Sequence, residues 1–327
     1  MMKALLVNED TQSMFFDKVE KPTIGNKDLL IKVKATALNR ADLLQKRGHY
    51  PPPKGASPII GLEMSGVIEE IGSDVTGWKK GDRVCALLPG GGYAEYAAIP
   101  ADMAIPIPEN LSFEEAAAIP EVFLTAYLNT IWLGKLKQGE TILIHAGASG
   151  VGTAAIQLAR DIGAKIIVTA GTEEKRALCT SLGADVAIDY KEGPFAEKVL
   201  EATDGKGVNL ILDFIGAPYW EQNIDSLALD GKLILVGTMG GSTLENVDLG
   251  KILFKRVQVI GTALRVQPIE KKIALTKEFA SYSLLKFADG SLKPIIDSVW
   301  DWQEVNDAHQ HMEANKNAGK IVLRVNG

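Results

Sequence analysis

The chain is 327 residues long with 46% apolar and 23% charged side chains, the length of two domains and the composition of a folded rather than a disordered protein. Its 35 basic and 41 acidic residues leave a net charge of −6, which argues against nucleic acid as a partner, because neutralising phosphates takes a basic patch. With only Cys85 and Cys179, neither a disulfide framework nor a four-cysteine zinc site can be built, and no run of 18 apolar residues offers a membrane span.

The opening residues reach Glu9 and Asp10 too soon for a signal peptide, so a cytoplasmic protein is expected. Apolar runs at residues 3–7, 29–38, 64–71, 82–87 and 93–99 read as strands; in the second, Ile31, Val33 and Ala35 alternate with Lys32 and Lys34. Glycine turns separate them, and Pro51-Pro52-Pro53 forms a stiff loop that cannot enter a strand interior. This density of strands and breakers predicts a small barrel-like β unit. Ser112-Phe113-Glu114-Glu115 is a capping box opening a helical stretch toward Trp132, with an interruption at Pro120. Strands over 141–146, 165–170, 186–188, 208–212, 232–236 and 257–260 then alternate with helices, among them 150–162 and 173–182. Such alternation predicts a parallel α/β sheet covered on both faces. Helix 269–287, strand 295–299, helix 302–313 and strand 320–325 follow. The expected organisation is a dinucleotide-binding domain over 122–261 inserted into a β-rich domain made of 1–121 and 262–327.

The segment from Thr141 to Ala155 carries the chemistry. A buried strand runs into Gly147-Ala148-Ser149-Gly150-Val151-Gly152 and then into an amphipathic helix. Small residues let the backbone turn tightly and approach a pyrophosphate, which free N–H groups and the helix dipole stabilise. The spacing is Gly-x-x-Gly-x-Gly rather than the usual fingerprint, so the strand–turn–helix context carries the assignment. The second strand ends in Gly171-Thr172, neutral where an NAD site places a carboxylate. Thr172, Lys175 and Tyr190 can supply the cation and hydroxyls that a 2′-phosphate needs. NADPH is therefore the expected cofactor, and the preference reverses if Glu173 or Glu174 points inward.

Gly61-Leu62-Glu63-Met64-Ser65-Gly66, Gly81-Asp82-Arg83-Val84, Gly92-Tyr93-Ala94-Glu95-Tyr96 and the 145–157 segment together resemble the medium-chain dehydrogenase/reductase superfamily over essentially the whole chain. Within it the sequence is similar to the zinc-free quinone oxidoreductases of the zeta-crystallin group, especially the tumour-suppressor-inducible ones, through residues 145–155, 209–213 and 312–317. The resemblance implies a six-stranded, doubly wound Rossmann domain inserted into a GroES-like catalytic domain. The alcohol-dehydrogenase branch has a zinc-liganding histidine where Leu62 stands and a cysteine ligand near Asn39-Arg40. With no imidazole or thiolate at either place, a zinc alcohol dehydrogenase is excluded. A reductase of small quinones is implied, because a conjugated acceptor needs little activation. An enoyl or alkenal reductase is the neighbouring alternative, and a non-enzymatic zeta-crystallin-like binding protein is a third.

The resemblance also implies site residues. Asn39 and Tyr50 are the catalytic candidates, the amide and the phenol donating to a substrate oxygen or to the nicotinamide side. Tyr50, Thr125, Ile215, Gly216, Gly237, Met239, Leu264 and Asn315 join the residues of the glycine turn and the second strand end in holding the cofactor. Gly240-Gly241 either brings the backbone close to the nicotinamide or only forms a turn. A second tyrosine of some relatives is Leu44 here. His309 and His311, two apart on a helix, face different ways and make poor co-ligands. No metal is expected. A homodimer is expected through the apolar edge strand near Val257–Gly261.

Overall fold

The computed structural model describes residues 1–326. The chain divides into two compact units, one formed by Met1–Leu124 with the chain from Leu264 onward, the other by Thr125–Ala263. The sequence alone predicts these limits at 121/122 and 261/262.

Unit 1 begins with β1 (Met2–Val7), β2 (Met14–Val19), β3 (Asp28–Ala37), α1 (Arg40–Lys46), β4 (Glu63–Ile71), β5 (Arg83–Leu87), β6 (Tyr96–Pro100) and β7 (Ile105–Pro106). Helices α2 (Phe113–Ala117) and α3 (Pro120–Tyr127) follow, and a π-helical stretch, Leu128–Leu133, continues α3. The expected capping box forms: Ser112 Oγ accepts from the Glu115 amide at 3.1 Å, and Glu115 Oε2 from the Ser112 amide at 2.8 Å. The helical stretch breaks ahead of Pro120, whose ring suits a first turn but not an interior.

Unit 2 carries β8 (Thr141–Ile144), α4 (Gly150–Ile162), β9 (Lys165–Thr169), α5 (Glu173–Leu182), β10 (Val186–Ile188), α6 (Phe195–Ala202), β11 (Val208–Asp213), α7 (Trp220–Ser226), β12 (Leu227–Leu235), α8 (Leu249–Lys255) and β13 (Gln258–Gly261). Its six strands are all parallel, in the order β10-β9-β8-β11-β12-β13. The order reverses between β8 and β11, and ligands of such sheets bind at the carboxyl ends of the strands beside that reversal. Leu143, Ile167, Ile188, Ile211 and Leu233 form its core. Helix α4 buries Ile156, Leu158 and Ala159 and stops at Gly163, whose φ of 82° suits a residue without Cβ.

The chain returns to unit 1 through α9 (Ile269–Ala288), β14 (Ile296–Asp301), α10 (Val305–Glu313) and β15 (Lys320–Arg324). A sheet in the order β14-β15-β3-β4-β5-β7 results, with β6 on the far part of β3. β3 buries Ile31, Val33 and Ala35 and leaves Lys32 and Lys34 partly exposed, the period of a strand with one wet face. Parallel and antiparallel registers meet on β15, and this brings the C-terminal strand to the end of β3: Val322 faces Ala37. No helix among the described residues is long and apolar enough to cross a membrane.

Candidate active site

The glycine turn between β8 and α4 is built from backbone. Ser149 is the N-cap of α4, its Oγ accepting from the Gly152 amide at 3.1 Å, while its own amide donates to Ala146 O at 2.8 Å. A Cβ on Gly152 would come within 2.4 Å of Ala146 O and 2.6 Å of Gly147 O, so glycine there is a condition of the turn itself. A Cβ on Gly147 would meet Val168 at 2.8 Å, which presses the turn onto β9. Ala148 is buried, and Gly150 and Val151 lead the helix.

At the end of β9 the structure brings Gly171 and Tyr190 together, since a Cβ on Gly171 would lie 2.6 Å from the Tyr190 hydroxyl oxygen. Thr172 caps α5 through the Lys175 amide at 3.3 Å. Glu173 and Glu174 are exposed, and Lys175 is half-buried beside them. The neighbouring cation, Arg176, is paired with Asp189.

A buried line of hydrogen bonds ties this strand end to that of β11. Asn223 Nδ2 donates to Asp213 Oδ2 at 3.1 Å, so Asn223 Oδ1 accepts from His145 Nε2 at 2.7 Å, and His145 Nδ1 accepts from Thr169 Oγ1 at 3.0 Å. That direction selects the Nε2–H tautomer of a neutral ring. Burial pushes His145 down to about 4. Asp213 Oδ1 then takes the Ile215 amide at 2.7 Å and the Gly216 amide at 3.2 Å, shaping the loop expected to meet the cofactor. Gly216, at φ 86°, bridges to Gly241, and Gly240 packs on Ile215, so this glycine pair closes on the chain's own loop. Gly237 and Met239 bond back to Asp213 O and Phe214 O, and Met239 is exposed. Thr125 is buried in α3, its carbonyl accepting from Asn129.

Unit 1 holds a different kind of cluster. Lys320, at the first position of β15, is 3% exposed, and its ammonium donates to Leu38 O at 2.6 Å, Asn39 Oδ1 at 2.7 Å and Glu63 Oε1 at 2.7 Å. Asn39 Nδ2 in turn donates to Glu63 Oε1 at 2.8 Å and Ala37 O at 3.3 Å. This corrects the expected role of Asn39: both amide hydrogens are engaged inside the fold, so it has none to offer a substrate oxygen. Its place is that of a buried strap between β3, β4 and β15. Glu63 Oε2 accepts the Glu121 amide at 2.8 Å, which fastens the start of α3.

Tyr50 is half-buried, with the Arg265 guanidinium 5.1 Å from its ring centre. Arg265 is itself held by Pro89 O, Tyr50 O and Gln45 Oε1. Burial, then Glu121, raises the Tyr50 phenol above its ordinary value against the pull of Arg265. Asp42, beneath this layer, accepts from the Asn39 amide at 2.8 Å and the Tyr93 hydroxyl at 3.1 Å, and burial pushes it up to about 7. His309 Nε2 lies 3.2 Å from the Tyr93 oxygen, whereas His311 pairs with Asp297, so the two histidines do part company. Leu264 is buried in unit 1, and Asn315 Oδ1 accepts from Arg40 there at 2.7 Å. Sequence reasoning misses Lys320, Glu121 and Arg265. The only sequence signal they leave is charge inside apolar surroundings, as in Gly319-Lys320-Ile321-Val322.

The donor set of unit 1 does not fit a zinc ion. Leu62 is a buried aliphatic side chain, and the Lys320 ammonium occupies Asn39 Oδ1 and Glu63 Oε1. Among the described residues no group of three or more His, Cys, Asp and Glu side chains converges. Cys85 and Cys179 are buried, and burial pushes both thiols up.

Two family descriptions match the chain: "Alcohol dehydrogenase GroES-like domain" over residues 25–109 and "Zinc-binding dehydrogenase" over residues 150–278. The chain is 31% identical over 324 residues to the quinone oxidoreductase-like protein 2 homolog of Nematostella vectensis, a match covering 98% of this chain and 88% of that protein. It is also 33% identical over 298 residues, 90% of its length, to a phenolphthiocerol/phthiocerol polyketide synthase of Mycobacterium tuberculosis, of which it spans only 13%. Among solved structures, mycobacterial Rv1454c complexed with NADPH matches with a TM-score of 0.88 at 29% identity, over 99% of this chain and 100% of that one. CurK enoyl reductase matches with a TM-score of 0.87 at 27% identity, over 99% of both chains. A Rossmann sheet set into a GroES-like unit, with matches of this length to both halves, means that the chain belongs to the medium-chain dehydrogenase/reductase superfamily, among its quinone oxidoreductase-like members.

Proposed function

We propose that the protein is an NADPH-dependent reductase of small quinones that works without zinc. The observation that carries this reading is the Lys320 cage: a buried ammonium takes up Asn39 Oδ1 and Glu63 Oε1, and the Glu121 amide takes Glu63 Oε2, so these oxygens are committed within the fold rather than to a Lewis acid that would activate an unconjugated carbonyl. Quinones suit such a site because their conjugation already spreads the added electrons. The dihydronicotinamide supplies a hydride when bound.

The leading amides of α4, at Gly150 and Val151, face a diphosphate without a side chain in the way. Thr172, Lys175 and Tyr190 suit a 2′-phosphate, which would displace the exposed Glu174 carboxylate from its hydrogen bond to the Thr172 side chain. The Asp213-held loop at Ile215–Gly216, with Gly237 and Met239, lines the nicotinamide side. Tyr50 keeps its phenolic proton, as its raised pKa requires, and donates to the acceptor's oxygen.

The likeness to an enoyl reductase favours one alternative, reduction of a conjugated carbon–carbon double bond. We also propose a homodimer through β13, whose residues Gln258 and Val259 are exposed at the sheet edge. The test is NADPH and NADH consumption with a panel of benzoquinones, naphthoquinones, alkenals and enoyl thioesters. Turnover of quinones with NADPH above NADH is expected. Turnover of enoyl thioesters alone would transfer the reading to the alternative, and consumption with no acceptor would end both.

A further inference from the structure

The start of α5 holds more acid than a phosphate site calls for. Thr172 is its N-cap, and Glu173 and Glu174 follow at its first two positions. The Thr172 hydroxyl oxygen accepts from the Lys175 amide at 3.3 Å, and its hydrogen goes to the Glu174 carboxylate. That carboxylate also takes the Glu174 amide; the amide first, then the Thr172 hydroxyl, hold it below the ordinary carboxylate range. An anionic group of the chain is therefore seated on a hydroxyl and a leading amide of α5, the donors that a helix start offers to any anion. The surroundings suit a phosphate. Gly171 has no side chain, and the Tyr190 hydroxyl packs over it where a Cβ would stand 2.6 Å away. Lys175 lies in the same turn, and Arg176 beyond it is committed to Asp189. Glu174 is exposed, so its side chain can turn into water at little cost.

We propose that Glu174 sets how strongly the protein discriminates between NADPH and NADH, its carboxylate acting as an internal competitor for the 2′-phosphate. The proposal rests on the NADPH reading above. A phosphate monoester carries about two negative charges and three acceptor oxygens, so it is a stronger claimant for the Thr172 hydroxyl than a single carboxylate. Once displaced, Glu174 remains a like charge on the same turn of helix, which lowers NADPH affinity and speeds its release. NADH carries a hydroxyl instead, and a neutral group neither needs the displacement nor meets the repulsion. Thr172 and Lys175 thus work for the phosphate and Glu174 against it. The selectivity of the site is the difference between these opposed contributions.

The experiment measures binding rather than turnover, by calorimetry on the whole chain. NADPH is compared with NADH, and 2′,5′-ADP with 5′-AMP, a pair that differs only in the 2′-phosphate. Glu174→Gln keeps the shape of the side chain and removes its charge. It should tighten NADPH and 2′,5′-ADP about three- to tenfold, the scale of an exposed charge acting on a dianion, and leave NADH and 5′-AMP unchanged. Thr172→Val removes the contested hydroxyl, so the gain from Glu174→Gln should shrink in that background. No gain, an equal gain for both members of each pair, or a gain undiminished in Thr172→Val overturns the proposal. Weaker NADH binding by Glu174→Gln also overturns it, because the carboxylate would then be holding the ribose hydroxyls. Wild type that binds 2′,5′-ADP no more tightly than 5′-AMP overturns the phosphate reading itself, a result distinct from failure of the Glu174 assignment alone.

Discussion

Each unit fixes its loops with a buried run of polar side chains, one built on an ion pair and the other on a line of hydrogen bonds that ends at a single carboxyl. In unit 1, Lys320 and Glu63 carry full charges and draw Asn39 and the start of α3 onto them. In unit 2, Thr169, His145, Asn223 and Asp213 pass hydrogen bonds in a single direction, and the line ends on the backbone amides of Ile215 and Gly216. The line in unit 2 spends its carboxyl on the Ile215 and Gly216 amides and so sets the course of that loop. The ion pair of unit 1 ties the ends of β3 and β15 to β4 and to the start of α3. A buried ion pair is not by itself a source of stability, but removing one partner is costly because the other is left charged and dry.

The comparison can be broken most forcefully at Lys320. Lys320→Met leaves Glu63 buried without its cation and should destabilise the fold by about 3–5 kcal/mol in urea unfolding. A loss below about 1 kcal/mol would mean that the pair is a bystander, as exposed pairs usually are. In unit 2, Lys175→Ala should weaken NADPH by about 1.5–3 kcal/mol, one to two decades, and leave NADH nearly unchanged, measured by calorimetry. If wild type prefers NADH, Glu173 or Glu174 has taken the ribose. Asn223→Leu interrupts the hydrogen-bonded line and should cost about 1–3 kcal/mol of stability, with a further loss of cofactor affinity as the Ile215–Gly216 loop relaxes. Unchanged affinity would make the line a packing feature only.

The effects of pH on Asp42 and His145 run in opposite directions in the two units. Asp42 rises from 3.8 unfolded to about 7 folded, so its contribution is complete below pH 3.8 and is lost as pH climbs through 7. His145 falls from 6.5 to about 4, so its contribution is complete above pH 6.5 and is lost as pH drops through 4. Denaturant midpoints across pH should therefore show a slope from 4 to 7 that Asp42→Asn flattens, and an acid-side slope that His145→Gln flattens. His309, lowered to about 3, adds to the acid side from within unit 1, which is why the variants are needed.

The same contrast explains what can be read from the sequence. Unit 2 is legible because its site is local: Ser149, Gly152, Gly171 and Thr172 lie in two short strand–turn–helix passages, and the bounds of α4, α5 and β10 agree with the periodicity. β12 starts at Leu227, before the expected 232, because Asp230 and Gly231 read as a turn, whereas the strand passes through them with Asp230 at φ 62°. In unit 1 the strand β2 escapes notice, since Phe16, Asp17 and Lys18 leave no alternating apolar signal. Its site is not legible at all. Residues 39, 63, 121 and 320 are brought together by the β3–β4 and β3–β15 registers, and no window of sequence holds more than one of them. Asn39 reads as a free donor because the sequence cannot show that Glu63 and Ala37 take both its hydrogens.

The proposed zinc-independent, NADPH-dependent reduction rests on the buried ammonium of unit 1, which holds Asn39 Oδ1 and Glu63 Oε1. It is tested most directly by measuring NADPH oxidation with a benzoquinone, using one protein preparation assayed before and after exhaustive chelation and analysed for zinc. The account predicts unchanged turnover and far less than one zinc per chain. Stoichiometric zinc that leaves together with the activity, and restores it on return, would contradict it.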